Sequence, residues 1–161
     1  DFTTSADEVM RGLDDLIRSG KVHYIGISDT PAWVISRANM LAELRGWSQF
    51  AALQIEYSLL QRGAERDLLP MAQALDMAVT PWGVIGGGAL TGKYLRGEGG
   101  RVPENSLRRN ERSREIAQEV VDIAQELEVT PTQIAINWAR QRVSNVMPVI
   151  GAKRVEQLQD S

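Results

Sequence analysis

Segments with helical apolar spacing alternate with short β-branched runs along this chain, and that alternation limits its folds more than any other feature. Val9, Leu13, Leu16 and Ile17 predict a helix over residues 3–19. Ser5 and Glu8 have capping-box spacing, and Gly20 stands where a C-terminal stop belongs. Residues 22–28 are β-branched and aromatic, and predict a strand. Thr30-Pro31 opens a second helix, with Val34, Ala38 and Leu41 on one face and Gly46 at its end. A second strand is expected over 51–58. A third helix follows over 65–76, with Leu68, Ala72 and Leu75 inward, then a third strand over 78–84. Pro81 weakens that strand because it cannot donate to a ladder. Residues 85–112 are rich in glycine and charge and predict a long loop, of the kind that is usually functional or mobile. Two helices follow, one near Ser113 carrying Ile116, Val120, Ile123 and Leu127, one from Thr130-Pro131 carrying Ile134, Trp138 and Ala139. Residues 145–150 predict a fourth strand, and a last helix starts at Val155.

Strict alternation means parallel strands joined by crossover helices. An open doubly wound sheet and part of a (β/α)8 barrel both fit. A complete barrel needs eight strands and about 250 residues, so four strands in 161 residues make a half. The start at Asp1 and the stop at Ser161, inside a helix, predict a piece of a larger protein forming a single partial domain over residues 1–161.

Composition removes several kinds of chemistry. With no Cys, disulfides, thiolate metal sites and cysteine nucleophiles are excluded, and a cytoplasmic chain is the default. His23 is the only histidine, so no site can use two. Eighteen basic against 21 acidic residues give a net charge of -3, which argues against general nucleic-acid binding. No apolar run reaches membrane-spanning length.

In both architectures ligands bind at the C-terminal ends of the strands. Ser28 and Asp29 end the first strand, Gln54, Glu56 and Tyr57 the second, Trp82 and Gly83 the third, and Gly151, Lys153 and Arg154 the fourth. A Ser hydroxyl and a Gln amide can hold a planar carboxamide between them. Trp82 offers a π-face to a flat ring, although core packing also explains a Trp. Gly86–Gly88 would let backbone N–H groups approach a phosphate, with Lys93 supplying charge; a plain flexible turn explains them equally. The Gly151 junction could hold a second phosphate, or be an ordinary strand-to-helix turn. His23 lies at a strand start, on the face associated with stability. Glu56 is a candidate general base without an identifiable partner. Arg108, Arg109, Arg112 and Arg114 form a basic cluster, readable as a solvated face or as an anion clamp.

The runs Gly20–Ser28, Leu53–Ser58, Pro81-Trp82-Gly83, Leu90-Thr91-Gly92-Lys93-Tyr94, Val149–Ala152 and Glu156-Gln157-Leu158, in this order, resemble the C-terminal half of an aldo-keto reductase. They are most similar to the branch that holds bacterial reductases and potassium-channel β subunits. The resemblance implies a (β/α)8 barrel that binds NADP(H) across its rim and reduces a small aldehyde or ketone. It implies that Ser28 and Gln54 hold the nicotinamide carboxamide and that Trp82 stacks on the ring. Gly83, Ile85, Gly87, Leu90 and Lys93 would line the pyrophosphate. Lys153, Arg154, Gln157 and Asp160 would surround the adenosine and its 2′-phosphate, with Arg108 near the adenine.

Three positions depart from the family pattern. Asp29 replaces the usual Asn after Ser28, Gly83-Val84-Ile85 replaces Ser-Pro-Leu, and Lys153 replaces a frequent Ser. The charge of Lys153 suits a 2′-phosphate and favours NADP over NAD. The family's catalytic Asp, Tyr, Lys and His come from the first half of the barrel, so none is expected here. Two further readings stay open: a cofactor-binding or regulatory module without redox activity, and a structural half-barrel that no longer binds nucleotide. Open sheet edges and an uncovered inner face predict self-association, two copies closing a pseudo-eight-stranded barrel or pairing edge to edge.

Overall fold

The computed structural model describes residues 3–142 and 145–161. Helices and strands alternate in the expected order: α1 (Ala6–Arg18), β1 (Ile25–Ser28), α2 (Ala32–Arg45), β2 (Phe50–Glu56), α3 (Leu68–Ala74), β3 (Ala78–Trp82), α4 (Glu111–Glu126), α5 (Pro131–Arg142) and α6 (Val155–Gln159). The chain divides into two compact units, one running up to Ile55 and including Glu65–Thr80, the other comprising Glu56–Ala64 and Pro81–Ser161.

The first unit is built on a parallel sheet of order β1-β2-β3. Leu53 and Ile55 of β2 are buried on one face, while Gly26 and Gln54 are open on the other, and Val79 of β3 is buried. Ser5 caps α1 by accepting the Glu8 N–H, and Gly20 follows its end at φ +72°. Gly46 ends α2 in the left-handed conformation that glycine adopts without strain. The buried face of α2 is Ile35, Ala38, Asn39 and Ala42, one residue round from the Val34–Leu41 stripe the sequence suggests. Polar Asn39 belongs inside because its amide pins the start of β2. Its Oδ1 accepts the Phe50 N–H at 2.9 Å, and its Nδ2 donates to the Phe50 carbonyl at 3.3 Å.

In the second unit α4 and α5 pack against the segment that follows β3. Their buried positions are mainly alanines, Ala117 and Ala124 on α4 and Ala135 and Ala139 on α5, together with Val120 and Ile136. Small residues let a helix approach its neighbours closely, so the alanine faces turn inward and Leu127 is left exposed. Thr130 and Gln133 cap α5 reciprocally, as a capping box.

The expected inward face of α3 is corrected, since Leu69, Met71 and Ala72 are buried and Leu75 is exposed. Two further expectations are corrected. Residues 145–150 do not form a fourth strand. Val146 makes an isolated bridge, and Val149 donates its N–H to the Pro81 carbonyl at 2.8 Å. Pro81 and Pro148 each lack an N–H, which leaves too few donors for a continuous ladder. The described sheet therefore has three strands, not four. The segment 85–112 is also not structureless. It holds 3₁₀ turns at Gly86–Thr91 and Leu107–Arg109, and it buries Leu90 and Val102.

Candidate cofactor-binding site

In the first unit the ladder makes Ser28 the direct partner of Gln54. A bulge between Ile25 and Gly26 sets this register, since Ile25 pairs with Phe50 but Gly26 pairs with Ala52. Without the skipped residue, Ser28 would face Leu53. Gly26 permits the close approach: a β-carbon there would lie 3.2 Å from the Ala52 carbonyl oxygen. Ser28 and Gln54 thus stand side by side on the open face, where a hydroxyl and an amide can bind a planar amide. Asp29 follows at φ +47°, exposed, in the left-handed region that Asp and Asn tolerate best among non-glycine residues. His23 is exposed and precedes β1.

In the second unit Trp82 ends β3, exposed, and its carbonyl accepts the Tyr57 N–H at 3.2 Å. Gly83 follows at φ +72°, a conformation that disfavours the family's usual Ser. Gly86, Gly87 and Gly88 are all left-handed, at φ +61°, +66° and +94°. Two cations lie across this turn. A β-carbon on Gly87 would sit 3.7 Å from Arg108 Nη1, and one on Gly88 would sit 2.6 Å from Lys93 Nζ. Gly88 therefore makes room for the Lys93 side chain, and Gly87 for Val102, whose Cγ2 would lie 2.9 Å from a β-carbon there.

Glu56 has the partner that the sequence did not reveal. Its carboxylate accepts a hydrogen bond from Arg108 Nη2. Arg109 takes a different role. Its guanidinium stacks on the Tyr94 ring at 4.5 Å and donates to the Val102 carbonyl, while the Tyr94 hydroxyl accepts the Val102 N–H at 2.9 Å. Lys93 Nζ lies 4.9 Å from the same ring. Tyr94 is thus the post around which the loop is wound, a role that spacing alone does not signal. Arg112 and Arg114 are exposed on α4.

Leu90 is fully buried against Val120 and Ala135, with Ile85 packed beside them. The Leu90 side chain therefore belongs to the core, and its N–H donates to the Ile85 carbonyl at 3.2 Å. Gly151, Lys153, Arg154 and Gln157 are exposed, and Asp160 is half-buried. Gln157 Oε1 accepts the Lys153 N–H at 2.8 Å and so closes the start of α6. Among the described residues no group of three or more His, Asp or Glu side chains could hold a metal ion, and no helix is long and apolar enough to cross a membrane.

A family model described as the aldo/keto reductase family matches residues 1–161. The chain is 36% identical to a probable aryl-alcohol dehydrogenase of Saccharomyces cerevisiae, with all of this chain and 51% of that protein aligned. It is also 36% identical to the aryl-alcohol dehydrogenase (NADP(+)) of Phanerodontia chrysosporium, over 98% of this chain and 43% of that protein. A norsolorinic acid reductase of Aspergillus flavus is 36% identical over the whole chain and 41% of its own length. The solved structure of a glycerol dehydrogenase from Gluconobacter oxydans superposes with a TM-score of 0.82 at 24% identity, covering 99% of this chain and 49% of that one, a likeness of fold. The chain spans about half the length of the curated relatives it matches. With a family model matching its whole length, the chain belongs to the aldo/keto reductase family.

Proposed function

We propose that this chain is the NADP(H)-binding half of a (β/α)8 carbonyl reductase. The observation that carries the reading is the Ser28–Gln54 pair on the open face of the sheet. The donor set fits the cofactor. Ser28 and Gln54 suit the carboxamide and Trp82 the nicotinamide ring. The Gly86–Gly88 turn with Lys93 and Arg108 suits phosphate, and Lys153 and Arg154 suit a 2′-phosphate. Bound NADPH supplies the hydride that reduces a carbonyl to an alcohol. The chain's own residues bind and orient, while proton transfer belongs to Asp, Tyr, Lys and His residues elsewhere in such a barrel.

The relatives' names give aryl alcohols and norsolorinic acid as what those proteins act on, which supports an aryl alcohol and its carbonyl partner as the substrate class here. Membership of the branch with bacterial reductases and potassium-channel β subunits rests on the motif order alone. The outer edge of β1 has no strand partner among the described residues, which favours association with a second copy or with the rest of a barrel. Light scattering that shows a monomer at high concentration would remove the self-association reading.

The test of the cofactor reading is an NADPH titration followed by tryptophan fluorescence. Saturable quenching is expected at micromolar NADPH, weaker with NADH, and lost in Trp82→Phe, which leaves Trp33, Trp47 and Trp138 in place. Absence of quenching up to millimolar NADPH would leave a structural half-barrel as the better reading.

A further inference from the structure

We propose that Glu56 is a built-in anion that occupies Arg108 when the glycine turn holds no ligand, so that a phosphate-bearing ligand must displace it. The proposal rests on the cofactor reading for the identity of the ligand, but the contact itself lies wholly within the second unit. Arg108 and Lys93 lie across Gly87 and Gly88, two cations at adjacent positions of one turn. The two are not equally free. Lys93 has no carboxylate within ion-pair distance among the described residues and rests on the Tyr94 ring. Arg108 is held by Glu56 through Nη2, with the two side chains 35% and 27% exposed. A guanidinium presents a fork of donors that takes a carboxylate or a phosphate in the same way, and one arm cannot serve both at full strength.

Glu56 is well placed for this exchange. It ends β2, so its backbone is fixed by the sheet, while its carboxylate lies over Gly83. A β-carbon on Gly83 would sit 3.6 Å from both Glu56 Cγ and Oε1, ordinary contact, so the carboxylate rests against the backbone of Gly83 and is held from the loop side by Arg108 alone among the described ion pairs. Arg108 in turn sits in the short 3₁₀ turn Leu107–Arg109, at the far end of the loop from Gly86. The ion pair therefore ties the end of β2 to the far end of the loop that carries the glycine turn. Partial exposure keeps the pair weak enough to break, since ion pairs in contact with solvent contribute little. The consequence is a latch. It keeps Arg108 near the turn with its charge compensated by Glu56 while the turn is empty, and it lowers the affinity for any anion that needs Arg108.

The test is a set of equilibrium titrations on the full chain with two probes, NADPH and inorganic pyrophosphate, and with thermal unfolding recorded for each variant. Glu56→Gln keeps the shape and removes the charge, so it should tighten both probes about fivefold. Glu56→Asp withdraws the carboxylate by one methylene and should tighten them by a smaller factor. Arg108→Gln should weaken both probes, and in the Arg108→Gln background the Glu56→Gln gain should vanish. A purely structural contact would lower the melting temperature without this charge-dependent gain in affinity.

Unchanged or weaker binding by both folded Glu56 variants overturns the latch and makes Glu56 a residue that positions Arg108. If NADPH fails to bind but pyrophosphate binds more tightly to Glu56→Gln, the latch stands and the cofactor reading falls. If neither probe binds any variant, no anion displaces Glu56 and the latch is overturned.

Discussion

Ser28 faces Gln54 across the β1–β2 ladder because one residue of β2 is skipped between Ile25 and Gly26. The bulge decides which side chains share the open face, since a one-residue slip would bring Leu53 opposite Ser28. Gln54 is exposed and its side chain is not needed for the buried face, so replacing it tests binding apart from folding. Gln54→Leu should weaken NADPH binding by about tenfold, the worth of one or two polar contacts to a ligand amide. Its melting temperature should stay within about 1–2 °C of the parent, as for a surface substitution. Equal NADPH affinity in the two proteins would remove Gln54 from the site.

Asn39 offers a test in which stability should move instead. Its amide makes two hydrogen bonds to the backbone of Phe50, and its Nδ2 also lies 3.8 Å from Met77 Sδ. Asn39→Leu would leave the Phe50 N–H and carbonyl without these partners at the first residue of β2. The expected loss is about 1–3 kcal/mol, the cost of stranding a buried polar group. Urea unfolding should show a lower midpoint at an unchanged slope. A midpoint equal to or above the parent's would mean that the side chain fills space and does not pin the strand.

These two residues also show what the sequence can and cannot disclose. Element order up to β3, the Ser5 cap, the glycine stops after α1 and α2, and the strand-end positions of Ser28 and Trp82 all follow from local spacing and capping chemistry. The pairing of Ser28 with Gln54 depends on a bulge that leaves no mark except a glycine. Asn39 looks like a surface polar residue until the Phe50 backbone arrives from eleven positions away. The inward faces of α2 and α4 lie a residue round from their apolar stripes because alanine carries little weight in an apolar count, yet it permits the closest packing. Glu56 and Arg108 are 52 positions apart, and only the folded loop brings them together. The 145–150 run reads as a strand by composition, and two missing proline donors undo it.

Asp14 on α1 carries a stabilising contribution that acid removes. Burial alone would raise its pKa, but the Ser48 N–H at 2.9 Å, the Arg18 guanidinium and the Ser48 hydroxyl at 3.0 Å outweigh it and hold the carboxyl below its ordinary value. A carboxyl with a depressed pKa in the folded state binds its proton more readily when unfolded. Its contribution is therefore complete above the ordinary carboxylate range and is lost as pH falls through the folded-state value. Asp14→Asn should lower the melting temperature at neutral pH, and the difference from the parent should shrink at the acid end. A difference that stays constant with pH would assign the stabilisation to shape and not to charge.

Leu90 separates the core from the ligand-binding surface within one loop. Family resemblance puts it along the pyrophosphate, but its side chain is fully buried against Val120 and Ala135, with Leu59, Leu60 and Ile134 around them. Deleting most of that side chain should cost about 2–5 kcal/mol, as other buried leucines do when cut to alanine. The backbone N–H of Leu90 already donates to the Ile85 carbonyl at 3.2 Å, so truncation removes no donor from a ligand. Leu90→Ala should therefore unfold at a lower temperature yet bind NADPH with nearly the parent's affinity below its transition. Lys93→Ala should behave in the opposite way, losing affinity with little change in melting temperature, because its ammonium is not paired with a carboxylate. If the folded Leu90→Ala protein lost NADPH binding while Lys93→Ala kept it, the anion contact would not lie at the Lys93 side of the glycine turn.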